Sequence, residues 1–336
     1  MRELVLILTD FFPPEPDGAG AGAPRLPALE TILARSRSAD LAPDWRRWLA
    51  SRAAAPWRAL TPAAAVAAAW ELSPRCAQPG AQVWLATPVH YFAGLDSVHL
   101  HPEGVLRLDS AQQQTLVADF ERVFAGSPWQ LHTRASRELL LSGPAIEASG
   151  ADPALFAGID PSAGLPRGEG AATLRRLGSE IEMWLYEHPL NSERRARGEL
   201  PVTTLWFWGS GPIPALSTAA AKASAAQPRL YGSDTYAEAL WRLQGSGAEP
   251  LPAALEAALP TSDCGSVILY PMSQPDGLTA ALLQLELRWL PAALRALRTR
   301  RVSVLRLLIG TRAYTLRRLN LARVWRRRPP WWESLA

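Results

Sequence analysis

Residues 179–214 read SEIEMWLYEHPLNSERRARGELPVTTLWFWGSGPIP. The hydrophobic pattern changes twice along this stretch. Leu177, Ile181, Trp184 and Leu185 recur at three- and four-residue steps, which predicts a helix with one inward apolar stripe. Pro189 stops or kinks that helix, because proline has no N–H to donate. A basic segment with Asn191, Arg194, Arg195 and Arg197 follows and ends at Gly198. The run 202–208 is short, β-branched and aromatic, which predicts a buried strand. The small residues from Gly209 to Pro214 predict a turn after it. A helix thus delivers His188 and Asn191, a loop carries arginines, and a strand ends in a glycine-rich turn. In α/β folds, ligands bind at such strand ends.

This stretch resembles the archaeal-type, cofactor-independent phosphoglycerate mutases of the alkaline-phosphatase superfamily. That family carries H-P-x-N-x-x-R, a glycine, P-A-N and a W-G-x-G turn. Here His188, Pro189, Asn191, Arg194, Gly198, Pro201, Trp208, Gly209 and Gly211 match, while Pro201-Val202-Thr203 lacks the asparagine of P-A-N. The chain looks closer still to a bacterial group known as phosphoglycerate-mutase-like proteins or the regulatory protein RpfE. The resemblance implies an α/β, alkaline-phosphatase-like fold, with a mostly parallel central sheet flanked by helices. It implies a core made of 1–81 and 202–316, an inserted subdomain at 82–201 and a basic tail at 317–336. It also implies a site, with Asp10 and His188 at catalytic positions. Asn191, Arg194, Arg197, Gly209 and Gly211 would surround a bound anion, since arginine grips phosphate or carboxylate bidentately. The same residues also suit a packed helix–loop–strand that holds no ligand.

Outward from this stretch, residues 3–9 form a continuous apolar run, as in a parallel strand buried on both faces. Asp10 follows at its carboxyl end. In the superfamily an aspartate there ligates metal and is followed by glycine; here Phe11-Phe12-Pro13-Pro14 follow. Asp10 equally suits a turn-capping carboxylate. The glycine-rich run 17–22 lacks the Gly-Lys-Ser/Thr ending of a phosphate loop. His90, His99 and His101 suggest a metal by number, yet the predicted strand puts only His99 and His101 on one face. Surface or hydrogen-bonded histidines fit better.

The long loop 145–170 holds Asp152 and Asp160, where the family has a catalytic H-D pair, and contains no histidine. After a strand at 265–270, Pro275 and Asp276 match the family's A-P-D-E-x-x-H segment, whose histidine is absent. The helix 278–297, kinked at Pro291, sits where the family carries a metal-binding Asp; its face shows Leu282, Leu285, Glu286, Trp289 and Leu294. The family's D-H pair after the strand 301–309 is replaced by Gly310-Thr311-Arg312. Two-metal chemistry needs several carboxylates and imidazoles within about 4 Å of the ions. Only Asp10 and Asp276 stand as metal candidates. The expectation is a catalytically degenerate phosphoglycerate-mutase-like protein with a regulatory or anion-binding role and no cofactor. The alternative is an active mutase or phosphatase with rearranged ligands, Asp10, Asp276 and His188 among them, using manganese or zinc.

The chain has 336 residues, 48% apolar and 20% charged, a composition of globular proteins. No run reaches the roughly 18 apolar residues of a membrane helix, so no membrane insertion is expected. The N-terminus lacks a secretory pattern, and Cys76 and Cys264 form no metal spacing. A cytoplasmic location is expected. Thirteen arginines and no acid lie between Arg288 and Trp332; taken from the +4 total, they leave the rest of the chain at −9. The end of the chain, with Arg326-Arg327-Arg328 and Trp331-Trp332, suits nucleic acid, anionic lipid or an acidic partner. It also suits a tail folded against the body. The last reading and a protein partner rank ahead of nucleic acid, for which no motif is present. A small anionic ligand is the other expected partner.

Overall fold

The apolar run after Arg2 forms β1 (Glu3–Thr9), buried along its whole length. The computed structural model describes residues 2–11, 23–41, 44–55, 57–72, 80–94, 97–134, 138–213, 227–260, 264–272 and 277–335. The glycine-rich run 17–22, Cys76, Asp96, the predicted helix 215–226 and Asp276 lie outside the described residues. The chain divides into two units, Met1–Ala53 with Ala221–Ala336, and Ala54–Ala220.

The first unit is mixed α/β around a mostly parallel sheet. Beside β1 it contains β2 (Arg37–Asp40), β8 (Arg229–Tyr231), β9 (Ala248–Glu249), β10 (Ser266–Pro271), β11 (Val304–Ile309) and β12 (Arg312–Arg317). Their order is β2-β12-β11-β1-β10-β8-β9. From β11 to β9 every pairing is parallel, whereas β12 and β2 add antiparallel at one edge. The three central strands are near-continuous apolar runs, as burial on both faces requires.

Glu3 is the exception in β1. Its carboxylate takes Arg52 in a fork, at 2.6 and 3.2 Å, and also Arg306 on β11. Burial raises the Glu3 pKa, but the two guanidiniums outweigh it and hold the carboxyl below its usual value. A depressed carboxylate contributes stability that is present above its unfolded pKa and lost as pH falls through its folded pKa. Glu3→Gln should therefore cost about 1–3 kcal/mol at neutral pH and flatten the acid limb of the stability curve. Urea midpoints at several pH values, from 7 downward, check this; an unchanged acid limb would remove Glu3 as its source.

The predicted helix 278–297 forms in three parts. Helix Gly277–Gln284 and helix Leu290–Arg298 are joined by a π-helical turn, Leu285–Trp289. Pro291 has no N–H and its ring crowds the preceding turn, and the wider π turn absorbs that clash. The turn aims Glu286 at the start of helix Pro27–Arg35, where it accepts the N–H groups of Ala28 (2.6 Å) and Leu29 (3.0 Å). Glu286 thus serves as a helix cap.

The second unit is built on an antiparallel sheet of five strands: β3 (Gln82–Ala93), β4 (Val98–Val105), β5 (Gln130–His132), β6 (Leu139–Gly143) and β7 (Thr204–Pro212). On one edge β3 pairs first with β6 and then with β4; on the other it pairs with β7. Helix Ala171–Tyr186 lays Leu174, Leu177, Ile181 and Leu185 into this unit's core, on the stripe the sequence predicts.

Two expectations are corrected here. The sequence places the run 202–208 with the parallel core, yet it is β7 and pairs antiparallel with β3 in the other sheet. The unit that holds it also takes in helix Pro62–Ala69. The expected turn at Gly209 is also absent, because β7 continues to Pro212. Gly209 takes φ +64° at a register shift opposite Val83 and Leu85, so the strand bulges and goes on. Gly211 lies against the helix Pro62–Ala69: a Cβ there would sit 2.2 Å from Oγ1 of Thr61, the N-cap of that helix. Both glycines serve packing.

Candidate functional site

His188 is buried and caps helix Pro189–Ala196, its Nδ1 accepting the Leu190 N–H at 3.2 Å. Its Nε2 lies 3.1 Å from Oδ2 of Asp119 but off the line of a hydrogen bond. The ring meets Trp184 edge-on at 4.9 Å. Burial lowers the His188 pKa more than the Asp119 charge raises it, so the imidazole is neutral at pH 7.

Asn191 uses its whole amide inside the protein. It donates to the carbonyls of Leu185 (2.7 Å) and Val202 (2.8 Å) and accepts the Val202 N–H (2.7 Å). Arg194 is buried; its guanidinium donates to the Leu200 carbonyl (2.8 Å) and to Gln112 (3.1 Å) and pairs with Glu199 (3.1 Å). Arg197 is exposed and grips Glu199 at 2.8 and 3.3 Å. The motif thus brings His188, Asn191 and Arg194 together, and it directs them at backbone carbonyls and neighbouring side chains.

Asp10 ends β1 with φ +57°, a conformation that few side chains adopt and aspartate tolerates. It sits at the carboxyl ends of β1 and its parallel neighbours, where the Met272 N–H reaches the Thr9 carbonyl at 3.0 Å. Among the described residues no group of three His, Cys, Asp or Glu side chains converges on a point. In the loop 145–170, Asp152 and Asp160 cap short 3-10 turns, accepting from Ala154 (3.0 Å) and Ser162 (2.8 Å). Of the three histidines on β3 and β4, two face each other and the third stacks on a phenylalanine. His90 and His101 lie 5.8 Å apart, Phe92 stacks on His99 at 5.6 Å, and His90 Nδ1 is 2.9 Å from the Pro201 carbonyl.

Beside the motif, the second unit opens into a cavity of about 680 Å³. Tyr91, Phe92, Glu182, Tyr186, Arg195 and Thr203 are among its lining residues. Burial raises the pKa of Glu182 against a hydrogen bond from Thr204, and burial pushes the Tyr91 phenol far up. Arg195 is exposed and has no acidic partner among the described residues. A half-apolar cavity of this size, with a few polar groups, has the dimensions of a small-ligand site.

The sequence singles out Arg194 and Arg197, not Arg195. On a helix, adjacent residues point about 100° apart, so one position decides whether an arginine enters the core or the cavity. Tyr91 and Glu182 leave no signal in sequence, because only the fold brings β3 beside helix Ala171–Tyr186.

No family model matches the chain. Over 54 residues it is 35% identical to a probable 2,3-bisphosphoglycerate-independent phosphoglycerate mutase of Geobacter sulfurreducens, covering 16% of this chain and 14% of the relative. Over 52 residues it is 38% identical to a 2,3-bisphosphoglycerate-independent phosphoglycerate mutase of Methanothrix thermoacetophila, covering 16% and 13%. The matched stretch thus spans about one seventh of the length of these relatives. Among solved structures, it aligns with the cofactor-independent phosphoglycerate mutase of Thermoplasma acidophilum at 15% identity and TM-score 0.39, covering 94% of this chain and 89% of the other. It aligns with a Pyrococcus horikoshii protein at 11% identity and TM-score 0.46, covering 94% and 87%. The sequence matches support a distant relationship between this chain and the cofactor-independent phosphoglycerate mutases.

Proposed function

We propose that this chain is a non-catalytic, anion-binding relative of the phosphoglycerate mutases, with a regulatory rather than a metabolic role. One observation carries the reading. The motif shared in sequence with that group is kept, while its polar side chains are engaged in holding a helix–helix–strand bracket together. That engagement supports an architectural role for residues that the resemblance puts at a site. The cavity beside the bracket supplies a place for a small anion, with Arg195 as its cation.

The test is a single set of measurements on the purified chain. Manganese and zinc are titrated by calorimetry while mutase and phosphatase turnover is assayed, and 3-phosphoglycerate is then titrated without metal. The expected outcome is no pair of tightly bound metals and no turnover above buffer. The anion should bind, and Arg195→Ala should weaken it roughly tenfold, the loss of one charged hydrogen bond. Binding of two metals with turnover that disappears in Asp10→Ala would overturn the proposal in favour of an active enzyme with rearranged ligands.

A further inference from the structure

The C-terminal segment is ordered on one side and open on the other. After β12 the chain forms a 3-10 turn, Arg318–Ala322, and runs to the short helix Trp331–Leu335. Its inner side is tied to helix Pro27–Arg35. Arg35 donates to the Leu321 carbonyl at 2.9 Å, and Arg326 donates to the carbonyls of Ala34 (3.1 Å) and Ser36 (3.3 Å). Arg328 donates to Oγ1 of Thr31 at 3.2 Å. Trp331 is buried against Phe11. The tail is therefore a fixed platform and not a free arm, as its folded-back reading from sequence expects.

What the platform presents outward is unusual for a soluble surface. Leu319 is 89% exposed, Val324 71% and Trp325 75%. The same segment holds six arginines from Arg317 to Arg328 and no acid. Arg318, Arg323 and Arg327 have no acidic partner among the described residues. Three large apolar side chains exposed within seven residues are more than the single scattered ones that are normal on a surface.

We propose that this platform adsorbs to an anionic lipid surface, with Leu319, Val324 and Trp325 entering the headgroup boundary and the arginines contacting lipid phosphates and carboxylates. Charge alone would suit any polyanion. The aliphatic pair decides between them. Tryptophan can stack on a nucleic-acid base, but Leu319 and Val324 gain nothing on a phosphate backbone. All three gain at a bilayer interface, where apolar burial adds to the attraction of basic side chains. No helix among the described residues is long and apolar enough to cross a membrane, so the contact is one of adsorption.

Flotation of the full chain with vesicles tests this. Phosphatidylcholine vesicles containing a third phosphatidylserine should carry the protein up, and pure phosphatidylcholine vesicles should not. L319S/W325S keeps every arginine and should bind the anionic vesicles at least roughly tenfold more weakly, from the lost apolar burial. R318Q/R327Q should lose roughly fivefold per charge at low salt. All four side chains are exposed, so an unchanged thermal midpoint shows that the variants fold. Absence of flotation would overturn the proposal. So would equal binding of L319S/W325S and the parent, and so would retention on single-stranded DNA with no affinity for vesicles.

Discussion

Asn191→Ala should destabilise the second unit more than any other single change in the shared motif, by about 3–5 kcal/mol. Asn191 is 1% exposed. Its amide bridges the end of helix Ala171–Tyr186, at the Leu185 carbonyl, and the strand entry at Val202. Truncation leaves the Val202 carbonyl and N–H without a partner, each costing about 1–3 kcal/mol when buried, and takes one of the bonds of the Leu185 carbonyl, which keeps the His188 N–H. Asn191→Asp should not restore stability, because a carboxylate accepts from the Val202 N–H but donates to neither carbonyl. Urea unfolding followed through tryptophan fluorescence reads the loss directly, since Trp206 and Trp208 lie on β7. An unchanged midpoint would show that the amide is not structural and would return Asn191 to the list of ligand contacts.

Trp331→Ala should cost a similar amount, about 3–5 kcal/mol, in the first unit. The indole is buried, its Nε1 donates to the Pro24 carbonyl at 3.0 Å, and it packs at 6.1 Å from Phe11 and 5.7 Å from Trp332. Its loss opens a cavity and frees the end of the chain. Trp331→Phe keeps most of the packing and loses the hydrogen bond, so about 1–2 kcal/mol is expected there. Thermal unfolding gives the energies. Limited trypsin digestion gives the location, because Arg326 and Arg327 should become rapid cleavage sites in Trp331→Ala and remain slow in Trp331→Phe. Uniform resistance in all three proteins would mean that Trp331 does not hold the tail.

Both changes act on residues whose importance the sequence shows but whose structural roles it leaves open. Asn191 stands out by motif and reads as a ligand contact; the structure turns it to backbone. His188 likewise reads as a catalytic position and is the N-cap of the next helix. A side chain that caps a helix and one that binds a phosphate share the same chemistry, a polar atom offered to a charged or dipolar group, so residue type alone does not separate them. Glu286 makes the same point, as a carboxylate that accepts two helix N–H groups. The cavity arginine was hidden for a different reason. Arg194 and Arg195 are adjacent and identical, and only the helix register sends the first inward and the second out.

The sequence by itself determined the local elements. The apolar runs of β1, β10 and β11 are buried strands, helix Ala171–Tyr186 follows the three- and four-residue spacing of its leucines, and Thr61 with Pro62 starts a helix as their types require. These features follow from short-range periodicity, which a single strand or helix carries in its own residues. The tertiary structure alone decided the pairing. β7 could join either sheet on its own composition, and it joins β3 because β-sheet partners are chosen by contacts far apart in sequence, some 120 residues in this case. That choice places the motif in the second unit, sets Tyr91 beside Glu182, and leaves Arg195 on the cavity wall.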